Sequence, residues 1–235
     1  MVPLRSHLAR ARVIGALIAL CALSFGRLAA RPPEADAVLD GWFAAQRAIR
    51  GWSADFTQIR ALRALSRPLT TPGRLWFAPP DRFRWELGRP ARTLAIRRGD
   101  TLWLVYPRLK RIEQYPLDGD PRSPWRSAMA LIEAGFPRDR ESFEQRFRVE
   151  AVTRTNGVYR VRFQPRAAAP RQFLAGLSVE LRTNDFALRA NTMTFVDGST
   201  LRNEYTRAVV NPPLDDALFT VRTNAGWEVA GPETP

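Results

Sequence analysis

The 235-residue sequence is almost empty of three residue types that carry much of protein chemistry: it has one cysteine (Cys21), one histidine (His7) and one lysine (Lys110). The first two fall in an opening stretch patterned as a secretory signal peptide. Arg5, Arg10 and Arg12 make a positive start, Val13–Phe25 is an apolar run, and small residues stand at Ala29 and Ala30. At ~1.5 Å per residue the run reaches about 20 Å, short of the ~30 Å hydrocarbon core, which disfavours a membrane anchor. A lipoprotein cleavage box wants a small residue before its cysteine, and Leu20 precedes Cys21. The expectation is a signal peptide over residues 1–30 and one exported domain over residues 31–235.

That domain contains neither cysteine nor histidine. It can form no disulfide, and it lacks a Cys or His nucleophile, a His general base and the usual zinc ligands. The sequence also has no Gly-rich phosphate loop, no G-x-S-x-G and no metal-ligand cluster. Asp118-Gly119-Asp120 reads as a solvated turn, because no matched calcium ligands follow it. The carboxylates are scattered and none is singled out as half of a glycosidase pair. The reading is of a protein that is not an enzyme, with no catalytic residue, no metal and no cofactor.

Charge is present in one form. Of the 36 basic residues 35 are arginine, and without residues 1–30 there are 32 cations against 23 anions, a net +9. Such a surface could meet anionic lipid headgroups or nucleic acid. Export argues against nucleic acid, and the arginine skew beside abundant Ala and Pro fits genomic codon bias.

Val38, Leu39, Trp42, Phe43, Ala45 and Ile49 recur at helical spacing, with Gly51 after them. From Trp52 the period becomes two, and turn residues divide the chain into strands near 52–62, 72–78, 82–87, 92–97, 101–106 and 109–115. A helix is expected to follow Ser123-Pro124, with Trp125, Ala128, Met129 and Ile132 on one face and a stop at Gly135 and Pro137. Strands resume near 145–153, 158–164, 172–182, 186–195 and 200–209, and "NPPLDDALFTV" is expected to make a short turn or helix and a last short strand at Phe219–Val221.

The fold class is therefore mainly β with a few helices. About eleven antiparallel strands make an incomplete barrel, with an α-helical lid over an apolar cavity. Phe83, Trp85 and Leu87 share one face of their strand, and Arg82, Arg84 and Glu86 the other. The expected cavity lining is Trp42, Phe43, Phe83, Trp85, Leu94, Ile96, Leu102, Trp103, Trp125, Met129 and Ile132, a set suited to acyl chains.

"FTQ" (56–58), "GRLWFAPPDRFRWE" (73–86), "RGDTLWLVYP" (98–107) and the ending "LDDALFTV…GWEV" resemble the LolA family in order and spacing. The resemblance covers nearly all of residues 31–235. It implies a periplasmic carrier, read here as a monomer, for triacylated lipoproteins. Its implied partners are an inner-membrane ABC transporter that releases the lipoprotein and an outer-membrane acceptor lipoprotein or membrane. A LolA-like protein for another lipid, a glycolipid or an envelope-stress ligand is the alternative. Many members carry a basic residue, which helps latch the lid, where this chain has Pro79; Arg74, Arg82 and Arg84 are the nearby substitutes.

Overall fold

Strand β3 (Arg82–Leu87) shows how the sheet is built. Leu75 of β2 (Leu69–Ala78) lies opposite Trp85, and Trp85 opposite Ala95 of β4 (Thr93–Arg98). Directly opposed residues of an antiparallel pair project from the same face, so each such rung is wholly on one side. The structure, a computed structural model, describes residues 33–118, 129, 134–222 and 226–231. From Glu34 onward they form one unit.

Its sheet has twelve strands. Besides β2–β4 these are β1 (Trp52–Ala61), β5 (Thr101–Tyr106), β6 (Arg111–Pro116), β7 (Phe147–Thr155), β8 (Val158–Pro165), β9 (Leu174–Arg182), β10 (Leu188–Phe195), β11 (Thr200–Val210) and β12 (Glu228–Ala230). The order is β12-β6-β5-β4-β3-β2-β1-β11-β10-β9-β8-β7, with β7 and β12 as unjoined edges. The sheet is an incomplete barrel, as expected, antiparallel throughout except where β12 runs parallel to β6.

Helix α1 (Pro33–Arg47) covers one face, which we call the inner face, with Val38, Leu39, Trp42 and Phe43 buried. Two further helices, α2 (Arg140–Arg146) and α3 (Ala168–Arg171), were not expected. The Asp139 carboxylate caps α2 by accepting from Ser142 N at 2.7 Å. In "PRDRESFEQR" that capping signal is masked by the surrounding charge.

Near the end of the chain the expected short turn is present, but the strand expected at Phe219–Val221 is not. Phe219 closes a 3-10 turn (Asp216–Phe219) instead of opening a strand, because Asp215 accepts from Ala217 N at 2.8 Å and bends the backbone. The last strand comes later, at β12. The signal peptide and most of the helix expected after Ser123 lie outside the described residues; Met129 is helical.

Candidate functional site

The inner face is aromatic along its length. β1 brings Trp52 and Phe56, β2 brings Phe77, β3 brings Phe83 and Trp85, and β7 and β8 bring Phe147 and Phe163. Phe56 needs Gly73 opposite it, since a Cβ there would lie 2.1 Å from its ring. Two pieces of chain cover this floor. Over β7 and β8, Trp42 and Phe43 of α1 pack on Phe143 of α2, each at a centroid distance of 5.6 Å, and Phe143 packs on Phe147 and Phe163 at 5.1 Å. Over β1 and β2, Phe136 meets Trp52 at 5.0 Å and Phe77 at 4.8 Å, with Met129 and Ala134 in the same cluster. Beside Phe83, Met129 and Phe136 there is a void of about 10 Å³.

Trp42, Phe43, Phe83, Trp85, Leu102 and Met129 are therefore gathered in one inner cluster, with Trp85 only half-buried. Leu94, Ile96 and Trp103 do not join them. Ile96 pairs with Arg84 and Trp103, and Leu94 with Glu86 and Val105, so these rungs project from the outer face. There they form a second cluster with Ile112, Val221 and Trp227. The expectation of a single lining fails because β4 carries apolar residues on both faces (Leu94 and Ile96 outside, Ala95 inside), and alternation alone cannot say which points in. Trp125 and Ile132 lie outside the described residues.

The three arginines considered as latch substitutes also face outward. Two of them hold the C-terminal segment: Arg82 pairs with Asp216 and lies over the Phe219 ring, and Arg84 donates to Leu218 O at 3.0 Å. Arg74 instead reaches Asp55, at 3.2 Å. The arginine that shares the inner rung of Phe83 and Leu102 is Arg97, which the sequence reading passed over.

Besides Arg97, polar groups interrupt the inner face at two further places. Gln58 donates to Asn203 at 3.2 Å, and Asn203 and Tyr205 both donate to Asn191 Oδ1, at 3.0 and 3.4 Å. On β6 Tyr115 donates to Glu113 at 2.9 Å; burial and that hydrogen bond push the Tyr115 phenol up to about 12. In α1, the buried Trp42 Nε1–H finds no acceptor among the described residues.

The family model described as outer membrane lipoprotein carrier protein LolA matches residues 47–222, three quarters of the chain. The chain belongs to the LolA family. The match begins at the last residue of α1, so every inner strand residue named above lies within it, and Trp42 and Phe43 precede it. The outer-membrane lipoprotein carrier protein of Chromohalobacter salexigens is 31% identical over 100 residues, 41% of this chain and 48% of that protein. The chain thus spans about half the length of that relative. The Coxiella burnetii protein of the same name is 25% identical over 165 residues, 67% of this chain and 69% of its own. Among solved structures, an uncharacterized conserved protein from Thermus thermophilus superposes with a TM-score of 0.49 at 12% identity, covering 84% of this chain and 99% of that one. A LolA superfamily protein from Nitrosomonas europaea gives 0.42 at 8%, covering 80% and 97%.

Proposed function

We propose that the protein is a periplasmic carrier that holds the acyl chains of lipoproteins against the inner face of its sheet. It would take them from a release transporter in the inner membrane and hand them to an acceptor at the outer membrane. The observation that carries this reading is an aromatic floor covered by segments attached through side-chain packing. Loading then requires the cover to lift.

The energies permit that exchange. Burying Val38, Leu39, Trp42 and Phe43 of α1 stabilises the closed form by about 6–12 kcal/mol, at ~1.5–3 each. One acyl chain of about fifteen methylenes contributes on the order of 12 kcal/mol at ~0.8 each. The two are similar, so a ligand can displace α1 and α1 can in turn expel the ligand. The role is binding, without bond making.

Native mass spectrometry of the protein purified from the periplasm tests the reading, with co-purified acylated lipoprotein expected. A protein with no bound lipid, and no affinity for a fluorescent fatty acid, would refute it. The row Gln58–Asn203–Asn191 favours a second reading, a lipid or glycolipid with a polar linkage lying on that row. Recovery of such a lipid in place of lipoprotein would select it.

A further inference from the structure

On the outer face, away from the aromatic floor, three arginines converge on one carboxylate. Arg89 Nη2 lies 2.9 Å and Arg74 Nε 3.2 Å from Asp55 Oδ1, while Arg207 Nε donates to Oδ2 at 2.7 Å. They come from β2, from the turn after β3 and from β11, and they border a cleft of about 440 Å³. Asp55 lies at its base, 9% exposed, under arginine side chains that are 55–73% exposed.

Two features exceed what folding needs. One guanidinium neutralises one carboxylate, yet here there are three. Glu86, also on the cleft wall, is already paired with Arg84, so four guanidiniums face two carboxylates. The second feature is backbone. The register between β1 and β11 slips between Ser53 and Asp55, and in the resulting bulge Arg207 takes a φ of 49°, a left-handed conformation that non-glycine residues rarely adopt. The bulge re-aims the Arg207 side chain at Asp55. Burial raises the Asp55 pKa, but hydrogen bonds and charge from Arg207 and Arg89 outweigh it, so the carboxylate stays ionised and anchors all three forks. All three guanidiniums line the cleft, and a planar fork of N–H donors fits phosphate oxygens.

We infer that Arg74, Arg89 and Arg207 form a binding site for a phosphate group, either free in solution or carried by an anionic lipid headgroup. Asp55 is its positioning residue. This site is independent of acyl-chain binding on the inner face.

The test uses the purified protein with inorganic phosphate by calorimetry, and with phosphatidylglycerol vesicles by co-sedimentation, phosphatidylcholine vesicles being the reference. Arg207→Gln should weaken phosphate binding by about tenfold or more, the loss of one charge-assisted pair. Arg160→Gln, an exposed arginine paired with Glu180, should leave it unchanged. Binding of both probes, lost together in Arg207→Gln, assigns the site to the headgroup. Binding of phosphate alone assigns it to a soluble ligand. Because Arg207→Gln could disturb the bulge, phenylglyoxal labelling of the unsubstituted protein gives a second readout, in which phosphate should protect Arg74, Arg89 and Arg207 but not Arg160. Absent binding, absent protection, or equal losses in the two variants would overturn the proposal.

Discussion

Trp85 lies stacked on Phe56, with ring centroids 5.7 Å apart and planes 15° apart, at a place where the inner floor is only half-buried. Trp85→Glu would set a carboxylate against a bound acyl chain, where an unpaired charge costs several kcal/mol, although in the unloaded protein it can stay partly hydrated. Fluorescent fatty-acid affinity should fall by more than about tenfold. Stability should fall by only about 1–3 kcal/mol, from the lost apolar contact. Arg189→Glu, exposed on β10, is the control. Equal effects from Trp85→Glu and Arg189→Glu would refute the assignment of the inner face.

Gly41 of α1 lies under the ring of Phe186, whose Cζ is 2.3 Å from where a Cβ would stand. Alanine there gains about 1 kcal/mol of helix propensity, but the ring must swing away, breaking its stack on Tyr159 (5.8 Å, 14°). Overpacking of this kind costs about 1–3 kcal/mol. Gly41→Ala should therefore be less stable to urea, and adding Phe186→Ala should recover part of the loss. Simple additivity in that double-mutant cycle would contradict the contact.

Acid should destabilise the protein through its arginine-bound carboxylates. Hydrogen bonds from Arg202 hold Glu180 below its usual 4.5 despite burial, with Arg160 adding to the effect. Asp55 lies below 3.8, where Arg207 and Arg89 overcome the burial that would raise it. A depressed folded pKa means that the unfolded chain binds protons first. The stabilisation is complete above the unfolded values and is lost as pH falls through the folded ones. Urea midpoints should hold steady above about pH 5 and drop below about pH 4, with a shallower drop in Glu180→Gln. An unchanged slope in that variant would remove Glu180 from the explanation.

Much of the sheet was legible because period two and turn residues are local signals. β3 and β5 fall where alternation puts them, at Arg82–Leu87 and Thr101–Tyr106. The inward face of β3 was legible too, since Arg82, Arg84 and Glu86 mark its outside. β4 and β5 offered no such mark: Leu94 and Ile96, like Trp103 and Val105, are apolar outside because the C-terminal segment covers them, an interaction more than a hundred residues away in sequence. The same reason hid the cover. Phe136 and Phe143 sit among charged and turn residues, and only the folded chain brings them onto Trp52 and Phe163. Asp55 and its three arginines share no local pattern at all.

The cover has an electrostatic clasp that can be released without touching the floor. Arg140 of α2 donates to Asp40 at 2.8 Å and Asp36 at 2.5 Å, both on α1, and to Glu144 at 3.1 Å, so one guanidinium ties the two helices together. The hydrogen bond that Arg140 donates to Asp36 leads in raising its pKa, and it stays charged at any working pH. About a third of the side chain is exposed, so solvent screens the pairs and each is worth at most about 1 kcal/mol. Removing the clasp should leave the apolar packing of Trp42 and Phe43 in place and weaken only α1 docking. Arg140→Gln should therefore lower global stability by less than about 2 kcal/mol while speeding hydrogen exchange in α1. If α1 must lift for loading, fluorescent fatty acid should also bind faster to this variant. A rate of loading identical to the unsubstituted protein, with α1 exchange accelerated, would mean that the ligand enters by another route.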